Sequence, residues 1–233
     1  MSWLSRLIQT RTRANAGTKS ASEQTLEGLR RLDRKLTVFG ASKHQYITHR
    51  VSESALAELE LWCGVPLPDA FRRHLADTGH GAGPYYGIWD PGAIREELDS
   101  LCVDYREDVG ASVSPASPFP LSRLDAEKIR QRQAAGEEKP WIVSNWPSDG
   151  CIPICHQGCT FWTVLIVTGE CAGCVWDVAN YEGWEGLWLP GRRPTGSLLN
   201  RDEIKPLPPL PSPPAFEDWF QGWIERATTD LGG

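Results

Sequence analysis

Apolar residues recur along this chain with two different periods, and the change falls near residue 141. Before it the spacing is helical. Leu26, Leu29, Leu32 and Leu36 recur three and four residues apart, which puts them on one helix face. In SESALAELELWCG, residues 52–64, Ser52 can cap the first turn and Gly64 can end the last. Leu56, Leu59 and Trp62 or Cys63 make its apolar side. Pro68 has the fixed φ that suits a first helical turn, Phe71 and Leu75 share a buried face, and Gly79 stops the helix. Tyr85 to Trp89 reads as a short strand, so Tyr85 and Tyr86 should point to opposite sides. A helix follows at 93–101. Residues 110–120 are rich in Ser, Pro and Gly and read as a loop, and 121–136 is helical by propensity up to Gly136.

From Trp141 the period becomes two. Trp141 to Ser144, Cys151 to Cys155, Thr160 to Val167 and Cys174 to Val178 read as strands. His156-Gln157-Gly158 is placed at one turn and Thr168 to Ala172 at the next. Strands in one block, with helices before and after, imply an α+β fold: a mainly antiparallel sheet packed with helices. Residues 181–200 carry Tyr181, Trp184, Trp188 and four glycines and read as irregular. PLPPLPSPP at 206–214 reads as an extended polyproline connector. Phe216, Trp219, Phe220 and Trp223 then form the apolar side of a closing helix over 215–230.

Charge divides the chain in two. Residues 1–50 hold ten Lys/Arg against three Asp/Glu, while the rest holds fourteen against twenty-seven. The first fifty residues therefore read as a basic helical arm, with a small stripe at Trp3, Leu4, Leu7 and Ile8, and 51–233 as the folded domain. Trp141 to Gly191 contains five acids and no Lys or Arg: Asp149, Glu170, Asp177, Glu182 and Glu185. An acidic globule repels nucleic acid and suits a basic partner. The apolar run from Val164 to Val167 is far shorter than the ~20 residues of a membrane helix, and the N-terminal run is too short for a signal peptide. The expected location is cytoplasmic, without a membrane partner.

Seven cysteines are present, five of them between Cys151 and Cys174. Cys171-x-x-Cys174 has zinc-knuckle spacing, with Cys151, Cys155, Cys159 and His156 nearby in sequence. In the meander, however, Cys159 falls at the far end of a strand from Cys171 and Cys174, about 20 Å away. No metal is expected on that ground. His44, His49, His74, His80 and His156 lie in no nucleophile elbow, and no phosphate-binding loop is present. No catalytic residue and no cofactor is expected.

Several stretches together resemble the SUKH superfamily, also called Smi/Knr-like. They are Leu67-Pro68, the glycine loop Gly79/Gly81/Gly83-Pro84-Tyr85-Tyr86-Gly87, Gly158-Cys159, Gly173-x-Val175-Trp176-Asp177 and the C-terminal FEDWFQGWI at 216–224. The resemblance covers roughly residues 51–228. It implies an immunity protein that binds and neutralises a toxin exchanged between competing bacteria, with no reaction catalysed. It leaves open a regulatory protein-binding scaffold of the same superfamily; the residues themselves leave a zinc or thiol enzyme as a third reading. Because many such toxins are nucleases with basic clefts, the expected contact residues are acidic and aromatic. They are Tyr86, Asp149, Glu170, Asp177, Glu182, Trp184, Glu185 and Trp188.

Overall fold

The computed structural model describes residues 19–180, 182–191 and 211–232. These form an α+β fold. The helices are α1 (Ala21–Leu32), α2 (Ala41–His44), α3 (Glu53–Cys63), α4 (Asp69–Asp77), α5 (Pro91–Val109), α6 (Arg123–Ala134) and α7 (Phe216–Leu231). A two-stranded ribbon pairs β1 (Thr48–His49) with β2 (His80–Gly81). The main sheet contains β3 (Ile142–Asn145), β4 (Cys151–Gly158), β5 (Phe161–Ile166), β6 (Val175–Asn180) and β7 (Glu185–Pro190). Its order is β3-β7-β6-β5-β4, antiparallel throughout.

Local chemistry explains where the helices begin and end. Ser20 and Glu23 form a reciprocal capping box at α1, and Ser122 with Asp125 does the same at α6. Ser52 Oγ accepts from Ala55 N at 3.3 Å to start α3, and Gly64 closes it at φ +72°. Asp90 Oδ1 accepts from the amides of Gly92 and Ala93, with Pro91 at the first helical position of α5. That helix runs eight residues beyond the expected end at 101, because no breaker occurs before Gly110.

Both faces of the sheet are covered, and alternation along each strand sends side chains to two cores. Leu165 and Val175 face the first, with Leu26 and Leu29 of α1, Leu56 and Leu59 of α3, Phe71 and Leu75 of α4, and Phe216, Trp219 and Trp223 of α7. Val164, Ile166, Trp176, Val178 and Trp188 face the second, under Phe119 and Ala126 and Ile129 of α6. A register shift between Pro153 and Cys155 lets β4 serve both, with Cys151 in the second core and Ile152, Ile154 and Cys155 in the first.

Residues 19–50 of the basic arm pack on the body, with Leu26, Leu29, Val38, Ala41 and Tyr46 buried in the first core, and three other readings of the sequence change. Beneath them, Asp33 accepts from Thr37 N, Val38 N and Tyr46 Oη, which folds the chain after α1 back on itself. The stripe at Trp3 to Ile8 lies outside the described residues. Tyr85 to Trp89 is not a continuous strand: Tyr85-Tyr86 form a turn, with Tyr85 at φ +55° and Gly87 N donating to Pro84 O, and Ile88 makes a single bridge to Gly81. The β4–β5 turn sits at Cys159-Thr160, two residues later than expected, so His156 to Gly158 stay in the strand. Residues 185–190, read as irregular, are the strand β7. Most of the polyproline connector, 206–210, and Tyr181 lie outside the described residues.

Candidate protein-binding surface

The expected contact residues do not form one patch. Two are interior. Trp188 is fully buried, its ring edge-on to Phe119 at 5.3 Å and Trp146 at 5.7 Å. Asp177 is 2% exposed, and its Oδ1 accepts from Gln157 Nε2 at 2.6 Å and Thr163 Oγ1 at 2.9 Å. Trp188 belongs to the second core and Asp177 to a buried polar cluster with Gln157 and Thr163, so neither presents its side chain at the surface. Two more belong to the end of the sheet that carries the 167–174 turn. Asp149 is half-buried and accepts from Ser114 N at 2.7 Å, holding the 110–120 loop in place. Glu170 is exposed in the turn itself.

The remaining four, Tyr86, Glu182, Trp184 and Glu185, lie at the opposite end, with the β4–β5 and β6–β7 turns. Asn180 N donates to Thr160 O at 2.9 Å, which joins the two turns. Glu182 and Glu185 are exposed there. Trp184 is half-buried, since its Nε1 donates to Asp108 Oδ2 at 3.2 Å and its ring meets Tyr105 edge-on at 5.4 Å. It fastens the β6–β7 turn to the end of α5.

Tyr86 belongs to an aromatic row that the sequence reading missed. The Tyr86 and Trp89 amides donate to the carbonyls of His156 and Ile154, laying this loop along the outer edge of β4. Phe39 stacks on Tyr86 at 5.8 Å, Tyr86 on His156 at 6.2 Å, and His156 on Trp89 at 6.4 Å. Lys43 Nζ stands 5.7 Å from the Tyr86 ring centre. Gly158, at φ +102°, permits this approach: a Cβ there would meet Tyr86 Oη at 3.0 Å. Trp162 Nε1 donates to Glu97 at 2.8 Å and presents its ring edge to His156. Phe161 beside it is 40% exposed and Tyr86 37% exposed. Phe161 escaped notice because its outward direction depends on the true position of the β4–β5 turn. Phe39 and Lys43 are brought in by long-range packing that no local pattern records.

The groups capable of nucleophilic or acid–base work are largely packing groups. Burial pushes the Cys63 thiol up to about 12 and the Cys102 and Cys171 thiols up to about 11, and raises Cys151 and Cys155 as well. Burial lowers His44 and His74 to about 4. His44 Nδ1 accepts from Tyr46 N and His156 Nδ1 from Gly158 N, so both are oriented by backbone. At Cys174 the Arg123 guanidinium lies 3.5 Å from the sulfur and donates to it. Among the described residues, no group of three or more His, Cys, Asp or Glu converges on a possible metal position. Nor does any described helix have the length and apolarity to cross a membrane.

No family model, no curated protein and no solved structure matches the chain.

Proposed function

We propose that this protein is a binding inhibitor of the SUKH immunity type, which neutralises a toxin by docking on it through the Tyr86–Phe161 end of the sheet. The observation that carries the reading is the aromatic row Phe39–Tyr86–His156–Trp89, with Tyr86 and Phe161 open to solvent and Glu182 and Glu185 exposed at the same end. Rigid aromatics contribute most of the contact energy at protein interfaces. The two carboxylates add long-range attraction for a basic partner such as a nuclease-type domain. The order of Leu67-Pro68, the glycine loop and the closing helix, which resembles the SUKH pattern, is what suggests the family.

The test is co-expression with the toxin encoded beside this protein, and titration of the pair in vitro. Wild type protects the cell and forms a complex on gel filtration. Tyr86→Ala with Phe161→Ala leaves the fold intact but weakens the complex by about 2 kcal/mol or more, roughly thirtyfold. Unchanged affinity in the folded double variant places the interface elsewhere. Absence of any complex, with killing continuing, rejects the immunity reading itself.

A further inference from the structure

We propose that Cys171 and Cys174 are an oxidisable dithiol, a modification site at which a low-molecular-weight disulfide converts the pair into an intramolecular disulfide. The inference does not rest on the toxin-binding reading. Cys174 N donates to Cys171 O at 2.9 Å, closing a turn whose ends are these two residues. Such a turn holds its end Cα atoms within about 7 Å, and a disulfide spans about 4.4–6.8 Å. Gly173 supplies the positive φ, +83°, inside the turn. The turn therefore brings the two Cα atoms to about the separation a cross-link requires.

Arg123 distinguishes the two sulfurs. Its Nη2 lies 3.5 Å from Cys174 Sγ, and a guanidinium favours thiolate over thiol. Burial raises both thiols, but at Cys174 the Arg123 charge opposes that effect more directly through this contact. Cys174 is thus the attacking sulfur and Cys171 the resolving one. Both are buried, yet Ala172 between them is exposed and Gly173 half-buried, so the sulfurs lie beneath a single surface turn. Opening that turn admits the oxidant.

The chemistry balances without a further reactant. The Cys174 thiolate attacks one sulfur of the small disulfide, breaking its S–S bond and releasing one thiolate, which takes up the proton Cys174 lost. Cys171, deprotonated in turn, attacks Cys174 Sγ and expels the second small thiol, which takes the second proton. The protein dithiol loses two electrons and two protons; the small disulfide becomes two thiols. The product locks the turn on which α7 is seated, since Phe216 N donates to Gly173 O and Cys174 bridges to Ala215.

The experiment uses the full chain, oxidised glutathione at graded ratios to reduced glutathione, alkylation of unfolded protein, and peptide mass mapping. The expected result is a Cys171–Cys174 peptide that has lost two hydrogens and resists alkylation, while Cys151 and Cys155 remain alkylatable. Cys171→Ser should stop the reaction at a glutathione adduct on Cys174. Arg123→Gln, an exposed change that leaves the fold alone, should slow cross-linking roughly threefold or more. A peptide that stays a dithiol where exposed Cys159 is already modified overturns the proposal. An Arg123→Gln rate equal to wild type overturns the assignment of Cys174 as the attacking thiol.

Discussion

At the end of the sheet that holds the 167–174 turn, nearly every strand terminus is tied to a neighbouring segment. Phe119 N donates to Thr168 O, the Val167 and Thr168 amides donate to Gly150 O, Val175 N to Pro214 O and Phe216 N to Gly173 O. A Cβ on Gly150 would stand 2.3 Å from Phe119 N, so the approach there is close enough to require glycine. At the opposite end, two hairpin turns meet through the bond from Asn180 N to Thr160 O, Trp146 N donates to Trp184 O, and Tyr86 and Phe161 are exposed. One end holds the helical layers to the sheet. The other is met by α5 through Glu97 and Asp108, which accept from Trp162 and Trp184, yet it leaves Tyr86 and Phe161 open to solvent. Acidic residues occur at both ends, so acidity alone does not locate an interface, and the proposed one rests on the exposed rings of Tyr86 and Phe161.

The largest effect should come from the tied end. Trp219 and Trp223 project from α7 into the first core and are almost wholly buried. Trp219→Ala and Trp223→Ala should each destabilise the fold by about 3–5 kcal/mol, read from denaturant midpoints. Unchanged midpoints would mean that α7 contributes little to holding this end.

A second effect comes from acid. His44 packs edge-on against Trp223 at 5.8 Å, and its folded-state value, about 4, lies below the ordinary 6.5. Between those two values the unfolded chain binds the proton and the folded chain does not. Stability contributed by neutral His44 is therefore full above about pH 6.5 and lost as pH falls towards 4. The loss is on the order of 3 kcal/mol. His74, edge-on to Phe220 at 4.4 Å, acts in the same direction. Unfolding free energy measured from pH 7 to pH 4 should fall accordingly, and His44→Gln should flatten the decline. A profile that is flat across this window contradicts the burial argument.

The smallest effect belongs to the open end. Glu182→Lys with Glu185→Lys alters two exposed side chains and should leave stability within about 0.5 kcal/mol. Association with the proposed toxin should slow and become less salt-sensitive, because rim charges act mainly on the on-rate. An unchanged on-rate across salt concentrations would remove these carboxylates from the interface.

The helices were readable because their ends carry chemical signals, as at Ser52, Gly64, Pro68 and Ser122, and because Phe71/Leu75 and Phe216/Trp219/Phe220/Trp223 keep helical spacing. Strand β7 was not readable, because Gly186 and Pro190 look like loop residues. Gly186 is in fact a packing requirement: a Cβ there would meet Val178 Cγ2 at 2.7 Å and Trp146 Cβ at 2.9 Å. Tyr85 adopts a left-handed backbone that no residue pattern announces. Of the proposed contacts, Asp177 and Trp188 failed because alternation tells which side of a strand a residue takes, and not whether that side is covered. Tyr86, Glu182 and Glu185 are exposed at the same end of the sheet, which pairing between distant segments sets.

The most direct measurement is amide hydrogen exchange on the protein with and without the proposed toxin partner. The account predicts added protection at Tyr86–Gly87, Cys159–Phe161 and Glu182–Glu185, with no change at Thr168–Gly173. Protection centred on Thr168–Gly173 and Asp149, with the Tyr86–Phe161 end unchanged, would contradict it.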